Sequence, residues 1–170
     1  MKHTLTATLM LMLGVPAIYA QQRPVRMTFS GSMVATTINF APNTVTDEEQ
    51  LTGIGSLGAF TFRKLRVDGE APVPSAACSG AAMVNIPVLA GGGVFRFQDG
   101  SLLTVNIPQP GSLCIDFAVL VGKLSETYQI TGGTGRFKGA TGTLKLTGTV
   151  TPVLGNSSNN RLPTHQQRFV

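Results

Sequence analysis

The sequence predicts an all-β protein, an eight-stranded antiparallel up-and-down β-barrel in a single domain. Stretches that alternate apolar with polar residues recur along the chain, and glycine, proline, asparagine or aspartate separates them. No ten-residue stretch combines the 3.6-residue apolar spacing of a helix with its end signals. Barrel closure removes unpaired sheet edges, so we favour it over a two-sheet sandwich, which the strand pattern leaves open.

Residues 1–20 have the pattern of a cleaved export signal. Lys2 and His3 precede the apolar residues 9–13, and the small residue Ala20 ends the segment. We therefore expect a secreted or periplasmic protein, with an uncleaved anchor as the alternative. The barrel domain is expected to span 21–154, followed by a polar, flexible tail over 155–170. No later stretch approaches the roughly twenty apolar residues of a membrane helix, so no membrane span is expected after cleavage.

Composition excludes several classes of protein. Hydrophobic residues make up 42% of the chain and charged residues 12%, which fits neither a disordered chain nor a coiled coil. A membrane barrel would carry aromatic girdles, whereas the chain after residue 20 has no Trp and a single tyrosine, Tyr128. His165 is the one histidine beyond residue 20, which argues against a histidine general base and a multi-histidine metal site. No metal and no cofactor are expected.

The strands are predicted in order at 25–38, 57–67, 83–89, 94–98, 101–107, 113–121, 124–130 and 143–150, because these segments are rich in β-branched or aromatic residues. Asp99-Gly100 is a hairpin signal between two of them. Residues 121–123 form a second short link. The acidic segment 46–51 is interpreted as a solvated loop, with one helical turn capped by Thr46 as the alternative.

Cys78 and Cys114 are the two cysteines of the chain. An even number of cysteines in an exported protein favours a disulfide over a catalytic thiol or a metal site. The alternative is two unpaired, buried thiols. We expect the disulfide.

A glycine-rich segment follows the seventh predicted strand. Gly132, Gly133 and Gly135 permit positive φ, so the chain can reverse sharply after Ile130. Phe137 then returns to the apolar interior. The next glycine, at position 139, lets the returning chain lie close to a neighbour. We interpret the segment as a structural corner.

The same segment carries a family resemblance. Residues 126–142, Glu-Thr-Tyr-Gln-Ile-Thr-Gly-Gly-Thr-Gly-Arg-Phe-Lys-Gly-Ala-Thr-Gly, resemble a segment of the plant allene oxide cyclases. They resemble more closely a group of exported bacterial proteins that share the Gly-Gly-Thr-Gly-Arg-Phe core, and dirigent proteins have a related turn. Residues 57–62 are similar to an early strand of the bacterial group. The resemblance implies an eight-stranded barrel with a central cavity, often assembled as a homotrimer.

The resemblance supports the barrel fold better than it supports the cyclase activity. The plant cyclases place an acidic residue and an asparagine on their first strand, facing the cavity. The first predicted strand here has neither, and Asn39 stands beyond its end. Fold alone does not specify a chemistry.

Glu126 and Tyr128 are the candidate catalytic residues. Glu126 shares a strand face with Leu124, Tyr128 and Ile130, so an inward face would desolvate the acid and raise its pKa. Such an acid could transfer a proton. The alternative is that Glu126 pairs with a lysine or arginine or reaches water. Asp116 alternates away from the large residues and is expected to be solvated.

Two functional hypotheses follow. The first is a non-catalytic barrel that binds a small apolar ligand or serves as an assembly module. The alternative is an isomerase or cyclase-like enzyme that folds an apolar substrate in its cavity. In either case six aromatic residues are candidates to line the cavity or to fill a solid core: Phe29, Phe60, Phe62, Phe95, Phe97 and Phe117.

Two further patterns point to binding sites that we reject. Residues 53–58 match the dinucleotide-binding spelling G-x-G-x-x-G, but a strand rather than a helix is predicted to follow. Arg63, Lys64 and Arg66 form a basic cluster that we interpret as a solvated face. Scarce stacking aromatics and the expected export argue against a nucleic-acid partner.

Overall fold

The computed structural model describes residues 24–80, 83–153 and 166–169. Within them a three-residue 3-10 helix, Gly135–Phe137, is the one helical element, and no helix is long and apolar enough to cross a membrane. The predicted all-β class is confirmed, whereas the predicted export signal lies outside these residues. In the described parts of the chain, nine antiparallel strands form one sheet: β1 (Met27–Ala35), β2 (Thr44–Gly55), β3 (Phe60–Gly69), β4 (Met83–Phe97), β5 (Leu102–Asn106), β6 (Gly111–Asp116), β7 (Val121–Gly133), β8 (Thr143–Val153) and β9 (Gln166–Phe169).

Each of these strands has an antiparallel neighbour on both sides. The sheet order is β3-β2-β1-β9-β8-β7-β5-β4-β6, and β3 also pairs with β4 and β6 with β7. β5 and β6 occupy one position in the sheet, since β4 pairs with β6 through its first half and with β5 through its second. β9 lies between β1 and β8. It falls in the segment that the sequence predicts to be a tail, and the rest of that segment lies outside the described residues.

Strand β2 replaces the loop that was predicted over 46–51, and that prediction was wrong. β2 pairs with β1 on one side and with β3 on the other, so its backbone hydrogen bonds are made within the sheet. Asp47 and Glu49 are buried there. A strand tolerates buried carboxylates when charged partners meet them, and Arg66 and Lys64 do so here.

Strand β4 is one continuous strand where the sequence predicted two. The three glycines 91–93 join the two halves. A Cβ at Gly93 would overlap the Cβ of Lys64 and the ring of Phe62 on the neighbouring strand. The missing side chain therefore leaves room for both of these residues on the buried face.

The connections were predicted in part. The hairpin at Asp99-Gly100 is confirmed: Gly100 has φ 80°, and Asp99 Oδ1 accepts a hydrogen bond from the Ser101 amide at 3.0 Å. The link predicted at 121–123 was wrong, because the chain reverses at 117–120 and residue 121 already begins β7. Asp116, expected to be solvated, is half-buried and accepts a hydrogen bond from the Ala118 amide.

The disulfide between Cys78 and Cys114 is present as predicted. It ties the loop between β3 and β4 to β6. The two cysteines are 36 residues apart, so the bond closes a long stretch of chain.

Candidate functional site

The glycine-rich corner brings the Arg-Phe pair of the resemblance onto the core. β7 runs on to Gly133, the 3-10 helix follows, and β8 begins at residue 143. The sharp reversal predicted directly after Ile130 was therefore wrong, because Gly132 and Gly133 continue the strand and only Gly135 of these three glycines has positive φ. Gly135 and Gly139 have φ 58° and 76°, which favour glycine. Phe137 is half-buried with its ring centroid 4.6 Å from that of Phe97, and the Arg136 guanidinium lies over both rings. The corner therefore positions one end of the aromatic core.

A cavity of about 420 Å³ opens between the first halves of β1 and β8. β9 separates these two strands further along, where it pairs with Gly31–Met33 and with Val150–Val153. Met27 and Phe29 line one side of the opening, and Leu144 and Leu146 line the other. We call this the aromatic cavity; its inner residues are Phe60, Phe62, Phe95 and Tyr128.

Four of the six predicted cavity phenylalanines lie together in the buried core. The rings of Phe62 and Phe95 stack with centroids 3.8 Å apart, and Phe60 meets Phe95 edge-on at 5.4 Å. Phe97 is buried beside them but does not line the aromatic cavity. Phe29 is half-buried at its opening.

The sixth predicted residue, Phe117, is not part of this group. It is 58% exposed in the turn after β6 and lines a different cavity. Alternation along a predicted strand put it with the inward residues, but β6 ends one residue before it.

Behind the aromatic cavity, six charged side chains from β2, β3 and β7 meet on the buried face of the sheet. We call them the inner charged cluster: Asp47, Glu49, Lys64, Arg66, Asp68 and Glu126. Strand alternation places them there. Along β3, Phe60 and Phe62 point to the same face as Lys64 and Arg66, so this face changes from aromatic to charged.

Lys64 joins the cluster to the aromatic cavity. Its ammonium lies 2.7 Å from Glu126 Oε2 and 3.1 Å from Glu49 Oε1. It also donates a hydrogen bond to the Tyr128 hydroxyl at 2.8 Å, and that hydroxyl donates to Glu126 Oε2. Tyr128 thus has its ring in the cavity wall and its hydroxyl in the cluster.

Arg66 forms ion pairs with four carboxylates. Its guanidinium nitrogens lie 2.8 Å from Asp68, 3.0 Å from Glu49, 3.3 Å from Asp47 and 3.7 Å from Glu126. Burial alone would lower the pKa of Arg66, but these carboxylates outweigh it and raise that pKa. Arg66 therefore stays charged although its side chain is completely buried.

The acids of the inner charged cluster differ in the direction in which their pKa values are shifted. Burial raises the pKa of Glu49 and raises that of Asp68 to about 7, because the nearby cations compensate only in part. Burial would also raise the pKa of Glu126, but Lys64 and Arg66 outweigh burial and lower it. Glu126 is therefore the ionised partner of Lys64. The expectation that an inward-facing Glu126 has a raised pKa was wrong, whereas its alternative, that Glu126 pairs with a lysine or arginine, is confirmed.

The basic residues of β3 do not form the expected solvated face. Arg63 does reach solvent, where its side chain is 70% exposed and pairs with Glu48 at 2.6 Å. Lys64 and Arg66 are buried, so the expectation was wrong for both. Neighbouring residues of a strand point to opposite faces of the sheet. The three basic residues therefore cannot form one surface, and the prediction did not take this alternation into account.

A sequence signal for the cluster does exist. β2 and β3 form a hairpin whose register places Glu49 opposite Lys64 and Asp47 opposite Arg66. Acidic residues before the turn therefore mirror basic residues after it, which is the cross-strand pattern of opposite charges. Detecting this pattern requires recognition of β2 as a strand.

Within the described chain, no group of three or more His, Cys, Asp or Glu side chains has the arrangement of a metal site.

Comparison with known proteins finds no matching family model, no similar curated protein and no similar solved structure.

Proposed function

We propose that the sheet closes into a barrel and that the protein is an exported, non-catalytic carrier of a small apolar ligand. Closure is supported by the pairing of β3 with both β2 and β4, and of β9 with both β1 and β8. Export is supported by the disulfide and by the pattern of residues 1–20. The glycine corner supports kinship with allene oxide cyclase-like barrels, and a homotrimer remains part of that proposal.

The observation that carries the binding proposal is the aromatic cavity. Its volume of about 420 Å³ is within the usual range for small-molecule pockets, roughly 300–1,000 Å³. Phe62, Phe95 and Tyr128 form a wall of aromatic faces at its inner end. Polar character at this wall is confined to Tyr128, whose hydroxyl already has partners in the cluster. This inner wall therefore favours an apolar group of the ligand, while Thr143, Lys145 and Thr147 bring polar atoms to the outer part of the cavity.

A proton-transfer enzyme is the less supported proposal. Glu126 does not line the aromatic cavity, and it meets a lining residue through the hydrogen bond that it accepts from the Tyr128 hydroxyl. Lys64 holds Glu126 ionised, and the pKa of Tyr128 is raised by burial and by the negative charge of Glu126. An ionised acid and a high-pKa phenol are poorly matched to proton transfer near neutral pH.

Fluorescence of N-phenyl-1-naphthylamine, a neutral apolar probe, tests the binding proposal. We expect the full chain to bind the probe with increased emission. Leu144→Trp adds bulk at the opening and should weaken binding about tenfold, because the ring occupies ligand space.

Leu65→Trp is the matched control, since Leu65 is exposed on β3 and does not line this cavity. It should leave the affinity unchanged. Equal affinity of the two variants, or absence of probe binding by the wild-type chain, would refute the proposal.

A further inference from the structure

The opening between β1 and β8 is bordered by two strand edges with no described strand between them. β9 occupies this place further along, where it pairs with residues 31–33 of β1 and 150–153 of β8. Among the described residues, β1 pairs over 27–30 with β2 alone, and β8 pairs over 143–149 with β7 alone. Because β9 holds β1 and β8 apart by the width of one strand, the opening continues the place of a strand in the sheet.

The backbone of β1 directs hydrogen-bonding groups into this opening. At the start of the ladder between β1 and β2, the Arg26 carbonyl accepts a hydrogen bond from the Ser56 amide at 2.9 Å. Hydrogen-bonded residues alternate along an antiparallel ladder, so the even-numbered residues of β1 bond to β2. The N–H and C=O groups of Met27 and Phe29 therefore point the other way, to the opening.

The backbone of β8 does the same from the other side. Just before β8 begins, the Ile130 amide donates a hydrogen bond to the Gly142 carbonyl at 2.9 Å. By the same alternation, the odd-numbered residues of β8 direct their N–H and C=O groups away from β7. Thr143, Lys145 and Thr147 line the aromatic cavity although these residues are exposed, which agrees with backbone groups at the opening. Two facing edges of this kind are a template for an added strand.

The register of β9 specifies which side chains an added strand would meet. Continued past the end of β9, this register gives three inward positions, and each lies between one residue from β1 or just before it and one from β8: Phe29 with Gly148, Met27 with Leu146, and Val25 with Leu144. All six residues are buried or half-buried, and five of them line the aromatic cavity. The added strand therefore needs apolar side chains at alternate positions.

One outward position carries a charge requirement. In the same register, the position between the last two inward ones lies between Arg26 and Lys145, and both residues are exposed. An acidic side chain there would meet both cations, and cross-strand pairs of opposite charge are favourable. We infer that the opening between β1 and β8 binds an extended peptide as an added strand, with apolar residues at alternate positions and an acidic residue between Arg26 and Lys145.

The probe is the hexapeptide acetyl-Val-Thr-Val-Glu-Val-Thr-amide, in which valine takes the inward positions and glutamate the charged outward one. Fluorescence anisotropy of the labelled peptide measures its affinity for the full chain, and hydrogen exchange followed by NMR measures protection of individual amides. We expect saturable binding. The Lys145 and Thr147 amides should exchange at least about tenfold more slowly in the complex, because they donate to the peptide backbone.

Two methylated peptides test the backbone contact with the wild-type chain. N-methylation of the glutamate removes the donor that faces the Lys145 carbonyl and should weaken binding about tenfold or more. N-methylation of the C-terminal amide is the matched control, because that nitrogen lies beyond the paired positions, and it should leave the affinity unchanged.

A charge reversal tests the register. Lys145→Glu should weaken binding of the peptide about tenfold, and a peptide with lysine in place of glutamate should bind this variant better than it binds the wild type. Arg96→Glu is the control with the same change of charge, since Arg96 is exposed on β4, which neighbours neither β1 nor β8. It should change neither affinity.

Equal affinity of the two methylated peptides, or no binding of the parent peptide, would overturn the inference. So would equal effects of Lys145→Glu and Arg96→Glu, or unchanged exchange of the Lys145 and Thr147 amides at saturating peptide. Protection of these amides before peptide is added would mean that a second copy or another segment of this chain fills the place, which also overturns it. The inference goes beyond the proposed function and does not rest on it, because the naphthylamine probe tests that function separately.

Discussion

The Nζ atom of Lys64 lies 2.7 Å from Oε2 of Glu126, although the two residues are 62 positions apart in the chain. Their strands, β3 and β7, do not pair in the sheet. The contact therefore crosses the buried face instead of running between neighbouring strands. Both side chains have no solvent exposure, so the pair joins distant parts of the fold in a medium where an unpaired charge is expensive.

Replacement of Lys64 tests this contact. Lys64→Met retains the length of the side chain but leaves the Glu126 and Glu49 carboxylates without their shared cation. Removal of one partner from a buried ion pair typically lowers the free energy of unfolding by about 3–5 kcal/mol. Urea denaturation measures the change. Arg63→Met on the same strand is the control, and because its ion pair is largely exposed we expect a loss below about 1 kcal/mol. Equal losses in the two variants would contradict the account.

The dependence of stability on pH tests the raised pKa of Asp68. This pKa is 3.8 ordinarily and about 7 in the fold. Between about pH 4 and 7 the native state thus holds a proton that the unfolded chain has released, so the free energy of unfolding falls as the pH rises. The raised pKa of Glu49 acts in the same direction. The lowered pKa of Glu126 acts below this window, where its stabilising effect is lost as the pH falls.

Asp68→Asn should therefore flatten the fall in stability between about pH 4 and 7, measured by urea midpoints at several pH values. Asp99→Asn serves as the control, because the pKa of Asp99 is lowered and the slope in this window should not change. An unchanged slope in Asp68→Asn would show that another group causes the dependence.

The disulfide should contribute to stability through the unfolded chain. Cys78→Ala with Cys114→Ala releases a loop of 36 residues and should lower the free energy of unfolding by about 2–4 kcal/mol. Thermal unfolding with and without reductant measures this. Reductant should lower the wild-type melting temperature and leave the double variant unaffected. A wild-type melting temperature that does not respond to reductant, under conditions that reduce the bond, would be inconsistent with this role.

Two glycines of the corner make a matched pair. Gly135 and Gly139 both have positive φ, so alanine at either position should cost about 1–2 kcal/mol. A Cβ at Gly135 also presses on Ser101, whose hydroxyl accepts a hydrogen bond from the Arg136 amide. The space around Gly139 is open, so the expectation that this glycine allows close approach to a neighbour was wrong. Gly135→Ala should therefore destabilise by about 1 kcal/mol more than Gly139→Ala in chemical denaturation, and the reverse order would disprove the corner's geometry.

The sequence was sufficient for the parts of the fold that depend on local pattern. Alternation predicted seven of the nine strands in part or in full, and Asp99-Gly100 predicted its hairpin because the turn chemistry is local. The glycines 91–93 misled the prediction into a break in β4. The role of Gly93 depends on Lys64 and Phe62 of the neighbouring strand, which are distant in sequence.

The charged cluster could not be predicted in the same way. Asp47 and Glu49 lie in an acidic segment that is typical of a solvated loop, and Lys64 and Arg66 lie in a basic segment that is typical of a protein surface. Each residue is unfavourable in a buried strand by itself and becomes favourable only with its partner. A prediction from local sequence treats the acidic and the basic segments separately and therefore places both in solvent. Glu126 was recognised as a candidate, with pairing to a lysine or arginine as the alternative, but the sequence did not identify Lys64 and Arg66 as those partners.

The central claim is that the opening between β1 and β8 admits a small apolar ligand, and the methyl signal of Met27 tests it most directly. Met27 lines the aromatic cavity, whereas Met33 is buried further along β1 and does not line that cavity. Titration of the 13C-methyl-labelled chain with N-phenyl-1-naphthylamine should shift the Met27 signal in a saturable manner and leave Met33 unmoved. A Met27 signal that stays in place at saturating probe, or a shift of Met33 alone, would contradict the account.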